Sequence, residues 1–282
     1  MKIAVLGMGR MGQAVAQRLL DGGHELVIWN RTPGRASELV TAGARESETA
    51  EGAASSAVVV ITSLANDDAV RAVAIGPGGI RSSIGDGSVY MDASTVSPAL
   101  SGELEAAFAR FVAMPILGGP SAVRAGTATY LVGGDPATVQ DIEPVLDTLS
   151  DNVRRFGAAP LATAAKVTSN LLLLEGIVAL AESFGVGRAG GLSDDQLRDL
   201  LAESPLVAPA LRNRFEGVLT GEQDPWWSTA LGAKDVGLAL EVAQGGGHAL
   251  PAARAVRDQY LEAAARRDAG QDVAQVTKLY RD

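Results

Sequence analysis

The sequence contains no cysteine, which excludes disulfide bonds, thiolate catalysis and zinc sites built on cysteine. Aromatic residues are scarce, at 4% of 282 residues, whereas 33 glycines are present. Basic residues are outnumbered by acidic ones, and the net charge of −9 argues against a nucleic-acid backbone as partner. The hydrophobic fraction of 47% nevertheless supplies enough apolar side chains for the cores of a soluble globular protein.

Signals for export and membrane insertion are also lacking. No charged and apolar leader of signal type opens the sequence. The longest apolar stretch, residues 170–181, contains Glu175 and is too short to span a bilayer. Together with the lack of cysteine, these absences favour a cytoplasmic protein that binds neither membrane nor nucleic acid.

Three glycines near the start, Gly7, Gly9 and Gly12, lie between an apolar run and a helix-forming segment, residues 13–20. At a strand-to-helix turn, the first glycine permits the tight turn and the second lets the backbone approach a pyrophosphate. The third allows close packing of helix and strand, and the helix N-terminus favours the anion. The pattern predicts a dinucleotide site; a plain glycine turn is the alternative. The other predicted cofactor-binding residues of this turn are Met8, Arg10 and Met11.

The second predicted strand, residues 25–29, ends at a segment that favours one of the two nicotinamide cofactors. An NAD enzyme usually places Asp or Glu about 20 residues after the glycines to bind the ribose 2′-hydroxyl. This sequence has Asn30 there, followed by Arg31, Thr32 and Arg35. The missing carboxylate removes a repulsion, and a guanidinium is a bidentate partner for a 2′-phosphate. These four residues predict NADP (NADPH) as cofactor; the alternative is that the arginines are solvated charges at a helix start.

Strand and helix signals alternate through the first half of the sequence. Apolar runs at residues 57–62, 88–92, 110–114 and 128–132, the last closed by Gly133 and Gly134, predict buried strands. Helical segments are predicted at residues 35–42, 67–74, 99–109 and 136–149. This alternation predicts an α/β fold in residues 1–159, with a Rossmann-type doubly wound parallel sheet. Ser63 and Leu64, directly after the strand at 57–62, are predicted to contact the cofactor.

From about residue 160 the strand signals vanish and strong helix formers prevail. Helices are predicted at residues 160–188, 229–244 and 251–269, and another follows the N-cap Ser193. We therefore expect an all-helical second domain at residues 160–282.

Two polar segments follow predicted strands, where ligands bind in open α/β folds. Ser94 and Thr95 come after one strand, and Gly118 and Gly119 come after the next. The glycines could offer backbone N–H groups to a carboxylate. Each segment could equally be a turn or a helix cap.

Lys166 has apolar helix neighbours and no acidic residue within four positions, and Asn170 lies one turn later on the same face. Partial desolvation would lower the pKa of this lysine towards a range useful for acid–base catalysis. A lysine that extends into solvent is the alternative. The pair Lys234 and Asp235, within a later predicted helix, could be a simple surface pair.

The order of these motifs resembles the β-hydroxyacid dehydrogenase family, which includes 3-hydroxyisobutyrate dehydrogenases and small-semialdehyde and glyoxylate reductases. The resemblance covers nearly the whole chain, and several motifs in the family's order are more specific than any one of them. The motifs are met by Gly7, Gly9, Met11 and Gly12; by Asp92, Ser94, Thr95 and Pro98; by Gly118 and Gly119; by Gly126 and Thr127; by Lys166 and Asn170; and by Lys234 and Asp235.

The resemblance implies an NADP-dependent oxidoreductase that interconverts a small 3-hydroxy acid and its semialdehyde or oxo acid by hydride transfer, without a metal. It implies that Lys166 is the general acid–base group, that Asn170 orients the reacting oxygen, and that Lys234 and Thr95 contact the cofactor. A small carboxylate or carbonyl substrate would lie against Ser94, Thr95, Leu117, Gly118, Gly119 and Asn170. The resemblance also implies that the helical domain at residues 160–282 serves substrate binding and dimerisation. Since helical second domains of this type often pair, a homodimer or dimer-based tetramer is expected.

Two positions depart from the family pattern. Leu117 stands where the family usually has a serine that contacts the substrate carboxylate, and Ser169 replaces the first asparagine of the lysine motif. Both changes concern substrate recognition, so the sequence does not identify the acid. Trp226 and Trp227 could close the pocket from the second domain or simply pack between helices.

Three related classes provide alternatives. Imine reductases share the fold and use NADPH, but generally carry another residue at the lysine position, so Lys166 argues against them and Leu117 for them. A 6-phosphogluconate dehydrogenase has a much longer helical domain. Non-catalytic NADP-binding relatives associated with chromatin lack the catalytic lysine.

Overall fold

The structure, a computed structural model, describes residues 1–266 and 270–281. The chain divides into two compact units, Met1–Lys166 and Val167–Asp282. The division falls within one helix, Ala159–Ala189, which is continuous across it. The sequence placed the domain boundary near residue 160, at the start of this helix.

The first unit is an α/β unit built on a mostly parallel sheet. Its strands are β1 (Lys2–Leu6), β2 (Glu25–Trp29), β3 (Arg45–Glu46), β4 (Val59–Thr62), β5 (Val89–Asp92), β6 (Phe111–Ala113), β7 (Ile116–Leu117), β8 (Thr129–Gly134) and β9 (Val153–Arg155). Their order in the sheet is β3-β2-β1-β4-β5-β6-β8-β7, and β9 pairs with β8. The pairs from β3 to β6 are parallel, whereas β8 runs antiparallel to β6 and β7.

Helices cover both faces of this sheet. They are α1 (Arg10–Asp21), α2 (Ser37–Thr41), α3 (Ala50–Ala54), α4 (Asp67–Ala74), α5 (Pro98–Ala107), α6 (Pro120–Arg124), α7 (Pro136–Asp141) and α8 (Glu143–Leu149), with a 3₁₀ helix at Ile80–Ser82 and the start of α9 (Ala159–Ala189). Alternate residues of β1 enter two separate cores, Ile3 and Val5 on one side and Ala4 and Leu6 on the other. Two-sided burial explains why the strands are continuous apolar runs, and it confirms the predicted doubly wound Rossmann-type fold.

Several predicted elements need correction. Gly133 and Gly134 do not close β8 but belong to it and pair with β6. The helix predicted at 136–149 is two helices that meet at Ile142, because Pro144 lacks an N–H and cannot continue a helical ladder. The short elements β3, α3, β7, α6 and β9 were not predicted.

The second unit is helical in the part that the structure describes. It contains the rest of α9, α10 (Asp194–Leu201), α11 (Pro209–Arg212), α12 (Phe215–Thr220), α13 (Thr229–Gly245), α14 (Pro251–Arg266) and a 3₁₀ helix at Val273–Leu279. The predicted N-cap of α10 is confirmed, since Ser193 and Gln196 form a reciprocal capping box. Helices α11 and α12 were not predicted, and residues 267–269, the end of the predicted helix 251–269, lie outside the described residues.

Helix α9 confirms the helix predicted at residues 160–188 and extends it by one residue at each end. Its apolar part is longer than the stretch at residues 170–181 that the sequence indicated. By length and composition alone it could cross a membrane, although 44% of its most apolar window is buried inside the protein. Leu174, Ile177 and Phe184 of α9 are buried in the core of the second unit. A core helix of a soluble protein passes the same test, so the observation is weak support for a membrane span.

The second unit contains a buried ion pair between Arg214 and Asp272. The Arg214 guanidinium is 1% exposed and donates to Asp272, which is fully buried. Asp272 also accepts from the backbone N–H groups of Trp226 and Trp227, and the guanidinium lies 4.1 Å from the centroid of the Trp226 ring. Burial lowers the pKa of Arg214 from its usual value, and the Asp272 carboxylate opposes that change. The two tryptophans thus pack against an ion pair inside their own unit.

Removing one partner of this ion pair should lower the free energy of unfolding. Asp272→Ala leaves the Arg214 guanidinium buried without a counter-charge, which we expect to destabilise the protein by about 3–5 kcal/mol. Denaturant unfolding followed by tryptophan fluorescence measures the change. Glu203→Ala is the matched control, because it breaks an exposed ion pair with Arg212 and should leave stability nearly unchanged. Equal effects of the two substitutions would contradict the proposed role of the buried pair.

Candidate functional site

The glycine turn at residues 7–12 is shaped by steric limits at two of its glycines. Gly7 has φ +102°, and a Cβ there would lie 2.4 Å from the carbonyl oxygen of Ser63. A Cβ on Gly12 would lie 1.9 Å from the carbonyl oxygen of Gly7. Both positions therefore require glycine, and the start of α1 packs directly on the turn.

Gly9 differs from its two neighbours in the pattern. Apart from Gly9 itself and its two chain neighbours, no described residue has an atom within 4 Å of the position that a Cβ on Gly9 would take. Gly9 is also the N-cap of α1, with no side chain capping the helix and no acidic residue in its first turn. The first N–H groups of a helix have no intrahelical partner. At the start of α1 these free N–H donors therefore lie next to the open space at Gly9. An anion such as a pyrophosphate fits this arrangement, and the residues present suit a dinucleotide.

The Asn30 side chain ties the glycine turn to the end of β2. Its Oδ1 accepts from the Met8 N–H at 2.9 Å, and its Nδ2 donates to the Thr32 carbonyl at 2.8 Å. Asn30 thus fixes the backbone beside the turn, a role that the sequence analysis did not assign. Gln13, also missed, supports the same place by donating to the carbonyls of Met8 and Arg35.

Exposed basic side chains surround this end of β2. Arg31 and Arg35 are exposed, as are Thr32 and Arg10, whereas Met8 is buried and Met11 is half-buried. Neither Arg31 nor Arg35 forms an ion pair with an acidic side chain among the described residues. Both guanidinium groups therefore keep their full charge available for an anion.

The loops after β4 and β5 contain four further predicted site residues. The Leu64 N–H donates to the Ser94 hydroxyl at 2.9 Å, so Leu64 and Ser94 are joined directly. Ser94 is only 4% exposed, whereas Ser63 and Thr95 are half-buried. Ser63 lies against the glycine turn. The Ser94 hydroxyl, in contrast, is hydrogen-bonded within the protein.

The loop after β7 contains Leu117, Gly118 and Gly119. Leu117 is half-buried, and Gly118 is exposed with φ +128°, a conformation that favours glycine. Gly119 is the N-cap of the short helix α6. The glycine pair thus makes a tight turn directly after Leu117.

Lys166 lies beside this loop. The side chain is 9% exposed, and Nζ donates to the Ile116 carbonyl at 2.6 Å. The alternative that Lys166 extends into solvent is therefore wrong. Sequence reasoning could not find this contact, because its acceptor is a backbone carbonyl, which carries no residue identity.

In the second unit, Asn170 and the Lys234–Asp235 pair form one cluster. Asn170 Nδ2 donates to Asp235 Oδ2 at 2.9 Å, and Lys234 Nζ lies 2.7 Å from Asp235 Oδ1. Asp235 is 3% exposed, so this is not the surface pair that the sequence left open. Asn170 is buried and follows Lys166 by one turn of α9.

Comparison with known proteins decides the family. Residues 2–157 match the family described as the NAD binding domain of 6-phosphogluconate dehydrogenase. Residues 161–280 match the family described as "NAD-binding of NADP-dependent 3-hydroxyisobutyrate dehydrogenase". The chain belongs to the β-hydroxyacid dehydrogenase family. It is therefore an NAD(P)-dependent oxidoreductase of a hydroxyacid dehydrogenase type, which acts on CH–OH groups.

Individual members of the family differ in their named activities. The chain is 30% identical to 2-(hydroxymethyl)glutarate dehydrogenase of Eubacterium barkeri, over 89% of this chain and 85% of that protein. It is 29% identical to the NAD-dependent L-serine dehydrogenase of Pseudomonas aeruginosa, over 99% of this chain and 97% of that protein. The solved structure of Mycobacterium tuberculosis 3-hydroxyisobutyrate dehydrogenase with L-serine is also similar, with a TM-score of 0.86 and 28% sequence identity. The similarity covers 100% of this chain and 99% of that chain.

The steric difference between Gly9 and Gly12 gives a paired prediction within this β-hydroxyacid dehydrogenase. Gly9→Ala should fold with a change in unfolding free energy below about 1 kcal/mol, because its methyl group enters open space at an N-cap. The affinity for NADH and NADPH should nevertheless fall at least about tenfold, since a pyrophosphate at this turn would need that space. Gly12→Ala should instead destabilise the protein by about 1–3 kcal/mol through overpacking. Calorimetric titration with both dinucleotides and thermal unfolding measure the two effects; unchanged affinity of Gly9→Ala for the dinucleotides would exclude the site.

Proposed function

We propose that this dehydrogenase interconverts a small 3-hydroxy acid and its semialdehyde or oxo acid, with NADP as cofactor and Lys166 as general acid–base group. The observation that carries the proposal is the placement of Lys166. Its Nζ is buried and held by the Ile116 carbonyl, one residue before the loop of Leu117, Gly118 and Gly119, in the same unit as the glycine turn.

NADP preference rests on the segment after β2. Asn30 supplies no negative charge, and its amide is engaged with Met8 and Thr32. Arg31 and Arg35 are exposed, and neither pairs with an acidic side chain in the described part of the chain. A 2′-phosphate would therefore meet two exposed guanidinium groups. The carboxylate nearest to this segment, that of Glu46, accepts from the Gly34 N–H at 3.0 Å.

Proton transfer is the task of Lys166. When bound, the nicotinamide supplies or accepts the hydride. Lys166 Nζ gives a proton to the substrate oxygen during reduction and removes it during oxidation. Its hydrogen bond to Ile116 fixes the direction of the ammonium group, so the proton is delivered at a defined place. Asn170, whose amide is held by Asp235, orients the reacting oxygen.

Substrate recognition is assigned to the loop after β7. Leu117 contributes an apolar side chain, and the backbone of Gly118 and Gly119 is open to a polar group because neither residue has a side chain. We propose that the substrate carboxylate or an equivalent polar end is bound by backbone N–H groups, with Leu117 against its carbon chain.

A panel of carbonyl compounds tests the proposed function. Consumption of NADPH is followed with short semialdehydes, glyoxylate and other small oxo acids, and oxidation of 3-hydroxy acids and serine is followed with NADP. We expect turnover with at least one semialdehyde or oxo acid and none with cyclic imines. Turnover confined to cyclic imines would favour an imine reductase, and binding of NADPH without any turnover would favour a non-catalytic binding protein.

A further inference from the structure

The loops after β4 and β5 are joined by side chains that the proposed reaction does not use. The Ser94 hydroxyl accepts from the Leu64 N–H at 2.9 Å and donates to Asp92 Oδ1 at 2.6 Å. Asp92 is 3% exposed and Ser94 is 4% exposed, so solvent does not compete with these bonds. One buried serine thus links the backbone of one loop to the carboxylate at the start of the other.

Asp92 determines which way the Ser94 hydroxyl points. Its Oδ1 accepts from the Ser94 hydroxyl, from the Ser94 N–H at 3.2 Å and from the Thr62 hydroxyl at 2.7 Å. The Tyr90 hydroxyl completes the chain, 2.9 Å from the Thr62 hydroxyl. Because an ionised carboxylate only accepts, the Ser94 hydrogen is committed to Asp92 and the Ser94 lone pairs remain for Leu64.

Burial of this carboxyl group has a cost that its partners offset. Desolvation raises the pKa of Asp92, whereas the hydrogen bonds from Ser94 and Thr62 oppose the rise. A carboxylate without such donors would be unfavourable at this depth. The network of Tyr90, Thr62, Asp92 and Ser94 is therefore a coupled set, in which each member satisfies another.

A second link joins the same two loops further from the strands. The Asp67 carboxylate accepts from the Ser97 N–H at 3.0 Å and from the Ser97 hydroxyl at 2.5 Å. The two loops are thus fixed to each other at both ends.

The turn formed by Ser63 and Leu64, which is hydrogen-bonded to Ser94, packs directly against the glycine turn. A Cβ on Gly7 would lie 2.4 Å from the Ser63 carbonyl oxygen and 2.7 Å from Leu64 Cδ2. Gly7 therefore packs on Ser63 and Leu64 with no spare space. A shift of Leu64 changes the surface against which the dinucleotide turn is formed.

We propose that Ser94 and Asp92 are positioning residues for the dinucleotide site, acting through the Leu64 N–H on the Ser63–Leu64 turn. Ser94 then serves cofactor binding by fixing a loop, rather than by contacting the substrate as the sequence predicted. The proposal rests on the proposed function for its identification of the cofactor, but its hydrogen-bond network exists without any ligand.

Hydrogen exchange in the free protein tests the network directly. Ser94→Ala removes the acceptor of the Leu64 N–H, so exchange at Leu64 should accelerate about three- to tenfold. Asp92→Ala should have a similar effect by releasing the Ser94 hydroxyl. Asp92→Asn keeps an acceptor oxygen for Ser94 and should restore most of the protection. Ser101→Ala is the matched control, because the buried Ser101 hydroxyl has no hydrogen-bond partner among the described residues.

NADPH titration of the same variants tests the consequence. We expect the Kd for NADPH to rise about tenfold in Ser94→Ala and Asp92→Ala, and to stay within about twofold of wild type in Ser101→Ala and Asp92→Asn. Thermal unfolding of all four variants shows whether they are folded, and the fluorescence of the bound cofactor gives a readout independent of turnover.

Three outcomes overturn some part of the proposal. Unchanged Leu64 exchange in Ser94→Ala would exclude the network. Faster exchange with unchanged NADPH affinity would exclude the positioning role. If wild type binds neither NADPH nor NADH while Leu64 exchange responds as expected, the network stands and both the proposed function and the cofactor role of Ser94 fall.

Discussion

Lys166→Ala is expected to lower kcat by about 10²- to 10⁴-fold, the usual contribution of a positioned proton donor. NADPH should still bind, because the glycine turn and the segment after β2 are unchanged. The steady-state rate with the best compound from the carbonyl panel measures the first effect, and calorimetric titration measures the second. The loss should appear in kcat, since the proposed role of Lys166 is to act on the reacting oxygen in the transition state.

Two further variants make this result specific. Lys166→Arg keeps a buried cation but cannot take part in proton transfer near neutral pH, so it should be nearly as inactive as Lys166→Ala. Lys278→Ala removes a lysine that donates to Gln275 in the second unit, and it should leave kcat unchanged. A Lys166→Ala enzyme that is folded and keeps more than about a tenth of the wild-type kcat would show that the proposed mechanism is wrong.

Arg31→Asp is expected to reverse the preference for cofactor. The substitution replaces the proposed partner of the 2′-phosphate by a like charge, and loss of a charge-assisted contact of ~1.5–3 kcal/mol corresponds to roughly ten- to a hundredfold in affinity. NADPH binding should weaken by that factor or more, whereas NADH binding should be retained or improved because a carboxylate can accept from the 2′-hydroxyl.

The control is an equal change of charge elsewhere in the same unit. Arg81 is exposed and lies in a 3₁₀ helix outside the glycine turn and the segment after β2, so Arg81→Asp should leave the ratio of the two affinities unchanged. Titration of both cofactors into wild type and both variants gives the ratios. Equal affinity of wild type for NADH and NADPH, or an unchanged ratio in Arg31→Asp, would refute the assignment of NADP.

The parts of the fold that were predictable depend on local sequence. Continuous apolar runs gave β1, β2, β4 and β5, because strands buried on both faces leave no polar alternation. The capping box of Ser193 and Gln196 identified the start of α10. Two-residue strands such as β3 and β7 are fixed by pairing with distant neighbours and are too short to leave a pattern.

The candidate site shows the same limit. Glycine spacing, the missing carboxylate at Asn30 and the apolar surroundings of Lys166 were visible in the sequence. The contacts that decide the roles join residues far apart in the chain, as between Lys166 and the Ile116 carbonyl. Ser94 illustrates the consequence, since its place at the end of β5 was predictable but its hydrogen bonds to Leu64 and Asp92 were not.

Transfer of deuterium from NADPH that carries deuterium at both C4 positions of the nicotinamide tests the central claim most directly. With a semialdehyde or oxo acid from the panel, the wild-type protein should form a hydroxy acid that carries the label on its carbinol carbon. Lys166→Ala should form the same labelled product far more slowly, because only proton transfer is impaired. NADPH oxidation that yields an unlabelled hydroxy acid, or no hydroxy acid from any member of the panel, would contradict the account.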